Sequence, residues 1–288
     1  MTPISIPGFT DPVSSFSHLL AAILSLVGSF YLLSKGRGNT ARVIALGVFS
    51  FALVFLFSMS GVFHLLDRGG EARDVIQRLD HVGIWILIAG TFTPIQVILF
   101  RGAWRWTMLL LIWTLTITGM VLEVVFFTSF PEWLLLSFFL GLGWLGAISV
   151  IQFAKTFKGA SIKLIVAGGA FYSLGAIIDF SRPPNLVDGV VGPHEIFHIF
   201  VVLAALCHWL FVYQWCHHPI GNSIRFDVHV YPDGKVLAQA IGESLVVEAD
   251  SVADLKHILR DRIVAKFHSS IQPLIRLRYF NEEHLSPS

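Results

Sequence analysis

The stretch GPHEIFHIFVVLAALCHWLFVYQW, Gly192 to Trp215, decides how the rest of the chain is read. It is apolar over more than the roughly 20 residues that a helix needs to cross a bilayer. It also opens on two histidines, His194 and His198, spaced four apart. On a helix that spacing puts both on one face, one turn apart. Ionisable groups in a spanning helix are costly and usually face the bundle interior or a cavity. The pair therefore needs a partner, and the rest of the sequence can be searched for one.

Of the 288 residues, 55% are hydrophobic and 14% charged, against about 25% charged in a typical soluble domain. Mean hydropathy is +0.71. These values exclude an ordinary soluble protein and a disordered one. The net charge of +1 offers no basic surplus for nucleic acid. Cys207 and Cys216 both fall at the last apolar stretch, so a disulfide framework is not expected. The opening MTPISIPGFTDP has no basic segment, and the first apolar run is long enough to span, so no cleavable signal peptide is expected.

Seven apolar stretches have the length a bilayer demands, near 16–34, 43–66, 80–100, 106–127, 132–153, 162–180 and 194–216. Charges and turn formers separate them, and no internal repeat is visible. After Pro219 the composition changes. RFDVHVY, KVLAQAI and SLVVEA alternate polar and apolar residues as strands do. Between the first two, PDG forms a turn. Ser251, with Asp254 three residues on, caps a helix over about 251–268, and IQPLIRLRYF is a further strand. The expected fold is an all-α seven-transmembrane helix bundle over 1–219 with a small extramembrane α+β domain over 220–288. A unit of about 65 residues has a marginal core, so docking on the bundle or self-association is plausible. The abrupt change at Pro219 also suggests that the tail can be removed without loss of the bundle.

Successive helices alternate direction across a bilayer. If face A is the N-terminal side, helix 2 ends there and helices 3 and 7 begin there. His64 lies in the last turn of helix 2, Asp80 opens helix 3, and His194 and His198 open helix 7. All four reach one depth just inside face A. Ser60 sits one turn from His64 on the same helix face. Three imidazoles in one layer suit zinc, whose catalytic sites use three protein ligands and leave a fourth position for water. A nearby carboxylate could hold that water or take its proton. The plain alternative is that boundary histidines hydrogen-bond to backbone or headgroups.

These residues also carry a resemblance. Ser60 and His64 in S-x-x-x-H, Leu79-Asp80, and His194 and His198 in H-x-x-x-H resemble the hemolysin III branch of the progestin and adipoQ receptor family, which includes the adiponectin receptors. AGTFTP at 89–94, PEWL at 131–134, GLGW at 141–144 and HEIFHIFVVLAALCHW at 194–209 extend it. SSFSHLLAA near 14–22 resembles the first family motif, with Asp11 and His18 in its acidic and histidine positions. Ser14 or Ser15 stands where that motif has Asn. The resemblance covers about residues 11–216 and none of the tail. It implies a seven-helix bundle with Zn2+ held by His64, His194 and His198, Asp80 as partner of the zinc-bound water, and Ser60 supporting it. It also implies a bacterial inner (plasma) membrane location.

Other ionisable residues have blander readings. His18 is expected to pack or to meet headgroups as readily as to reach the site. His81 points about 100° away from Asp80 and is read as structural. His208, roughly 15 Å deeper than His198, is too far for the same metal. Glu123 and Asp179 are expected to be partly solvated or, for Asp179, paired with Arg182, with an access path to the site as the alternative. His217 and His218 are expected to be solvated at face B. Loops on face B carry eight basic residues (Lys35, Arg37, Arg42, Arg101, Arg105, Lys155, Lys158 and Lys163) against four on face A (Arg68, Arg73, Arg78 and Arg182). The positive-inside rule then puts the tail in the cytoplasm, whereas the family's receptors put the N-terminus and zinc there.

Three functions follow from these readings. The first is a zinc-dependent lipid amide hydrolase of ceramidase type, with a membrane lipid as substrate and Asp80 as base. The second is a receptor or sensor with structural zinc, the lipid being a ligand. The third is a membrane-disrupting haemolysin or pore, which would need a polar stripe through several helices. The polar groups instead gather at one depth.

Overall fold

The computed structural model describes residues 10–188, 190–220, 223–266 and 273–281. Eight helices build the membrane part: α1 (Pro12–Lys35), α2 (Thr40–Leu65), α3 (Glu71–Leu99), α4 (Gly102–Val125), α5 (Glu132–Trp144), α6 (Gly146–Thr156), α7 (Lys163–Ser181) and α8 (Pro193–Trp215). α5 and α6 together make one span, so seven segments are long and apolar enough to cross a membrane. The expected unbroken fifth helix is interrupted at Leu145, within GLGWLG. Three glycines in six residues weaken the helix there. α3 starts at Glu71 rather than near residue 80. Its first turns are too polar to register in hydropathy, yet they are rich in helix formers. Asp80 therefore lies within α3 and does not open it.

α2 and α3 form the centre of the bundle. Within their most apolar windows 50% and 67% of residues are buried in the protein, against 11% for the fifth span, whose surface is left to lipid. The two central helices approach closely because Gly90 meets Ala52: a Cβ added at Gly90 would come within 2.6 Å of the Ala52 Cβ. Small residues permit such contacts between membrane helices. At Gly61 an added Cβ would come 2.7 Å from the side chain of Leu19, so α1 lies tight against the end of α2.

The C-terminal region holds β1 (Ser223–Val230), β2 (Val236–Ala240), β3 (Val246–Ala249), α9 (Val252–Lys266) and β4 (Leu274–Asn281). The sheet order is β3-β2-β1-β4. β1 pairs antiparallel with β2 and parallel with β4. Alternation puts Ile224, Phe226 and Val228 on one face of β1, against Leu255, Leu259 and Ile263 of α9. Ser251 caps α9: its Oγ accepts from the Asp254 N–H at 3.1 Å and donates to the Asp254 carboxylate at 2.6 Å. The expected end of this helix at 268 lies outside the described residues.

A buried arginine joins this region to the bundle. Arg42, in the first turn of α2, is 1% exposed. Its Nε donates to the Gly36 carbonyl at 2.8 Å. Nη1 donates to the His218 carbonyl and to Glu243 Oε1, at 3.0 and 2.7 Å. Nη2 donates to the Arg37 carbonyl and to Glu243 Oε2, at 3.0 and 2.9 Å. All five guanidinium N–H groups are thus used, in the bidentate geometry that suits carboxylates. Asn39 supports the joint: its Oδ1 caps α2 and its Nδ2 donates to the Gly242 carbonyl at 2.7 Å. His218, expected to be solvated, is 2% exposed and packs edge-on against Phe157 and Trp215.

Candidate metal centre

The local sequence fixes where each histidine begins. Pro193 occupies the first turn of α8, where its missing N–H costs nothing. The Glu195 carboxylate turns back to accept from the Gly192 N–H at 2.9 Å. That start places His194 and His198 in the first two turns of the helix. α2 ends just after His64 because Arg73 donates to the Phe63 and Leu66 carbonyls, which have no partner within the helix. α1 is stitched to the same end. The Asp11 N–H donates to the His64 carbonyl at 3.0 Å, and Thr10 Oγ1 to the Leu66 carbonyl at 2.7 Å. Ser15 Oγ donates to the Gly61 carbonyl at 2.8 Å.

The three imidazoles meet at this end of the bundle. His194 Nε2 lies 3.4 Å from His64 Nε2 and 3.1 Å from His198 Nε2. One ligand atom from each histidine lies within 4.8 Å of the other two, and the group could hold a metal ion. A tetrahedral ion with bonds of about 2.0–2.1 Å spaces its ligand atoms about 3.3 Å apart, so the donor set fits zinc. His64 and His198 are buried, while the His194 side chain is 45% exposed and leaves one side of the group open.

Each opposite ring nitrogen is also partnered. His64 Nδ1 donates to Asp11 Oδ2 at 3.1 Å, and His194 Nδ1 to Asp179 Oδ1 at 3.1 Å. His198 Nδ1 lies 3.2 Å from His18 Nδ1. Asp11 is further held by Arg68 at 3.1 Å and Arg73 at 3.5 Å. The hydrogen bond from His64, with the Arg68 guanidinium beside it, lowers its carboxyl to about 2 against the opposing effect of burial. Metal-binding histidines typically donate their second N–H to a carboxylate or carbonyl, which fixes the ring and raises its basicity.

Several expected contacts are different. Asp179 pairs with His194, while Arg182 reaches Glu132 at 2.5 Å. Glu123 is 2% exposed and accepts from His81 Nδ1 at 2.6 Å and Trp85 Nε1 at 2.5 Å. It braces α4 against α3. His208, in contrast, lies away from the centre as expected, and its Nε2 donates to the Ile165 carbonyl of α7 at 3.2 Å. Ser60, 2% exposed, sits one turn from His64 on α2, and Asp80 lies on the neighbouring helix α3. Neither is the Nδ1 partner of one of the three imidazoles; Asp11, Asp179 and His18 fill those places. Asp11 and His18 carried the signal of the first family motif, whose acidic and histidine positions they resemble. Asp179 carried only the signal of an acid at a span's end, and nothing in the sequence chose its partner.

Fold and site together define a seven-span integral membrane protein with a three-histidine centre near one bilayer face. Residues 9–209 match the family described as haemolysin-III related, and the chain belongs to that family. It is 30% identical over 191 residues to Hemolysin-3 of Bacillus cereus, covering 66% of this chain and 84% of that protein. It is 27% identical to the Hemolysin-3 homolog of Bacillus subtilis (strain 168), covering 70% and 92%. With the Adiponectin receptor protein of Drosophila melanogaster it shares 26% identity over 69% of this chain and 49% of that protein. The family match stops before the C-terminal sheet.

Proposed function

We propose that this protein is a zinc-dependent hydrolase of membrane lipid amides, with a ceramide-like molecule as the substrate class. The observation that carries the reading is the arrangement of the three imidazoles. Every Nδ1 is engaged, and the Nε2 atoms are left to face one another. His64, His194 and His198 would hold the zinc, which when bound would supply Lewis acidity and make water acidic enough to act as a nucleophile. Asp80, steadied by Ser60, is the carboxylate that takes a proton in this reading. The exposed side of His194 admits the amide from face A. Phe16, Leu20 and Ile199, exposed on α1 and α8, offer apolar surface to acyl chains.

A second reading, a receptor with structural zinc, draws on the Arg42–Glu243 joint, which ties the C-terminal region to the bundle that carries the histidines. The Drosophila relative's name points the same way. Haemolysis, named for the Bacillus relatives, would call for a polar stripe across the bundle. The acids and histidines around the trio instead gather at face A.

The deciding experiment is metal analysis of the purified protein and of the His64→Ala, His194→Ala and His198→Ala variants, with a ceramide hydrolysis assay on the same samples. About one zinc per chain in the parent, lost in each variant together with hydrolysis, is the expected result. Zinc without cleavage of any lipid amide favours the receptor. Zinc unaffected by all three changes ends both readings.

A further inference from the structure

His18 is the one histidine at the centre that faces a ligand imidazole from behind. It lies on α1, one turn past the contacts that tie α1 to α2, and is 2% exposed. Its ring centroid is 4.0 Å from that of His198, and its edge meets the Phe57 ring at 5.1 Å. Its Nδ1 lies 3.2 Å from His198 Nδ1, and its Nε2 lies 3.4 Å from the His198 carbonyl oxygen. It does not belong to the converging group of His64, His194 and His198, so it is not placed as a fourth ligand.

Proton positions follow from these contacts. A carbonyl oxygen only accepts, so His18 Nε2 carries the hydrogen and donates to it. In a neutral imidazole the other nitrogen then holds a lone pair, and His18 Nδ1 is an acceptor. It faces His198 Nδ1, which must therefore donate. Once Nδ1 of His198 carries the hydrogen, its Nε2 lone pair is free and points at His64 and His194. A ring flip or tautomer change at either histidine would break this sequence of donors and acceptors.

We propose that His18 is a positioning residue for the metal centre: it accepts the Nδ1–H of His198 and thereby commits Nε2 of that ring to the metal. This rests on the reading of the three histidines as a metal site. The three outer partners are then two carboxylates and one neutral imidazole. This role also makes α1, which supplies no ligand, the source of one of them, His18, with a second, Asp11, in the residue just before that helix.

The test uses the full-length protein in detergent, with Zn2+ affinity measured by chelator competition and the visible absorption of the Co2+-loaded protein as a reporter of ligand geometry. His18→Gln keeps a carbonyl acceptor and an amide donor. His18→Phe fills the space with neither. The expected result is Zn2+ affinity weakened about 10–100-fold in His18→Phe, with altered Co2+ bands, while His18→Gln stays close to the parent in both. If His18→Phe does not fold, the more pliable His18→Met takes its place. Parental affinity and spectrum in the variant without an acceptor overturn the proposal, as does an equal loss in His18→Gln. A parent that binds no Zn2+ overturns the metal reading itself. A loaded parent with insensitive variants overturns only the role of His18.

Discussion

Asp179 holds His194 by the nitrogen that faces away from the other imidazoles, at 3.1 Å. Asp179→Asn keeps the shape but removes the charge, and it should weaken Zn2+ binding about 10–100-fold. Chelator competition measures this, and unchanged affinity would rule out Asp179 as a support of the ligand. Asp80→Asn should behave differently, keeping zinc while lipid amide turnover falls by a similar factor. Loss of zinc in that variant would make Asp80 a ligand. These residues also show what the sequence discloses at this scale. His64, His194 and His198 were legible because helical spacing and alternating helix direction suffice to bring them to one depth. The partner of His194 was not, because choosing between Arg182 and His194 for Asp179 depends on how α7 and α8 are rotated about their axes. Hydropathy carries no information on that rotation.

Close helix contacts hold the two central helices of the bundle together. The α2–α3 contact at Ala52 and Gly90 leaves no room for another methyl. Gly90→Ala should therefore destabilise the protein by about 1–3 kcal/mol, seen as a lower unfolding temperature in detergent. Ala52→Gly added to it should restore much of the loss by returning the space. A double variant no better than the single one would show that the contact is not limiting. Most elements were readable in advance, since long apolar runs and two-residue alternation are strong signals. The misses have a common origin. The first turns of α3 are helical but polar, and the break at Leu145 is apolar but rich in glycine. Hydropathy reports on neither case.

Taken whole, the molecule keeps its histidine centre at one end of α8 and its C-terminal sheet at the other. We propose that residues 220–288 fold as a unit of their own, built on the core between β1 and α9, yet held to the bundle by Arg42 and Glu243. Glu243→Gln should cost about 3–5 kcal/mol, because it leaves a buried guanidinium without its counter-charge. Replacing both residues by methionine should cost much less. Thermal unfolding of the single and double variants measures this, and equal losses would mean that the charges do not act as a pair. Sequence could not match an arginine in the second span to a glutamate 201 positions later. Removal of residues 220–288 exposes Arg42 to water instead of stranding it, and should leave the zinc in place. The open side of His194 has a consequence of another kind: it gives the protein a readable polarity. In sealed vesicles a chelator that cannot cross the bilayer should strip the metal from one side only. A protease should clip the C-terminal sheet only from the other. Vesicles of known sidedness would then report which compartment the centre serves.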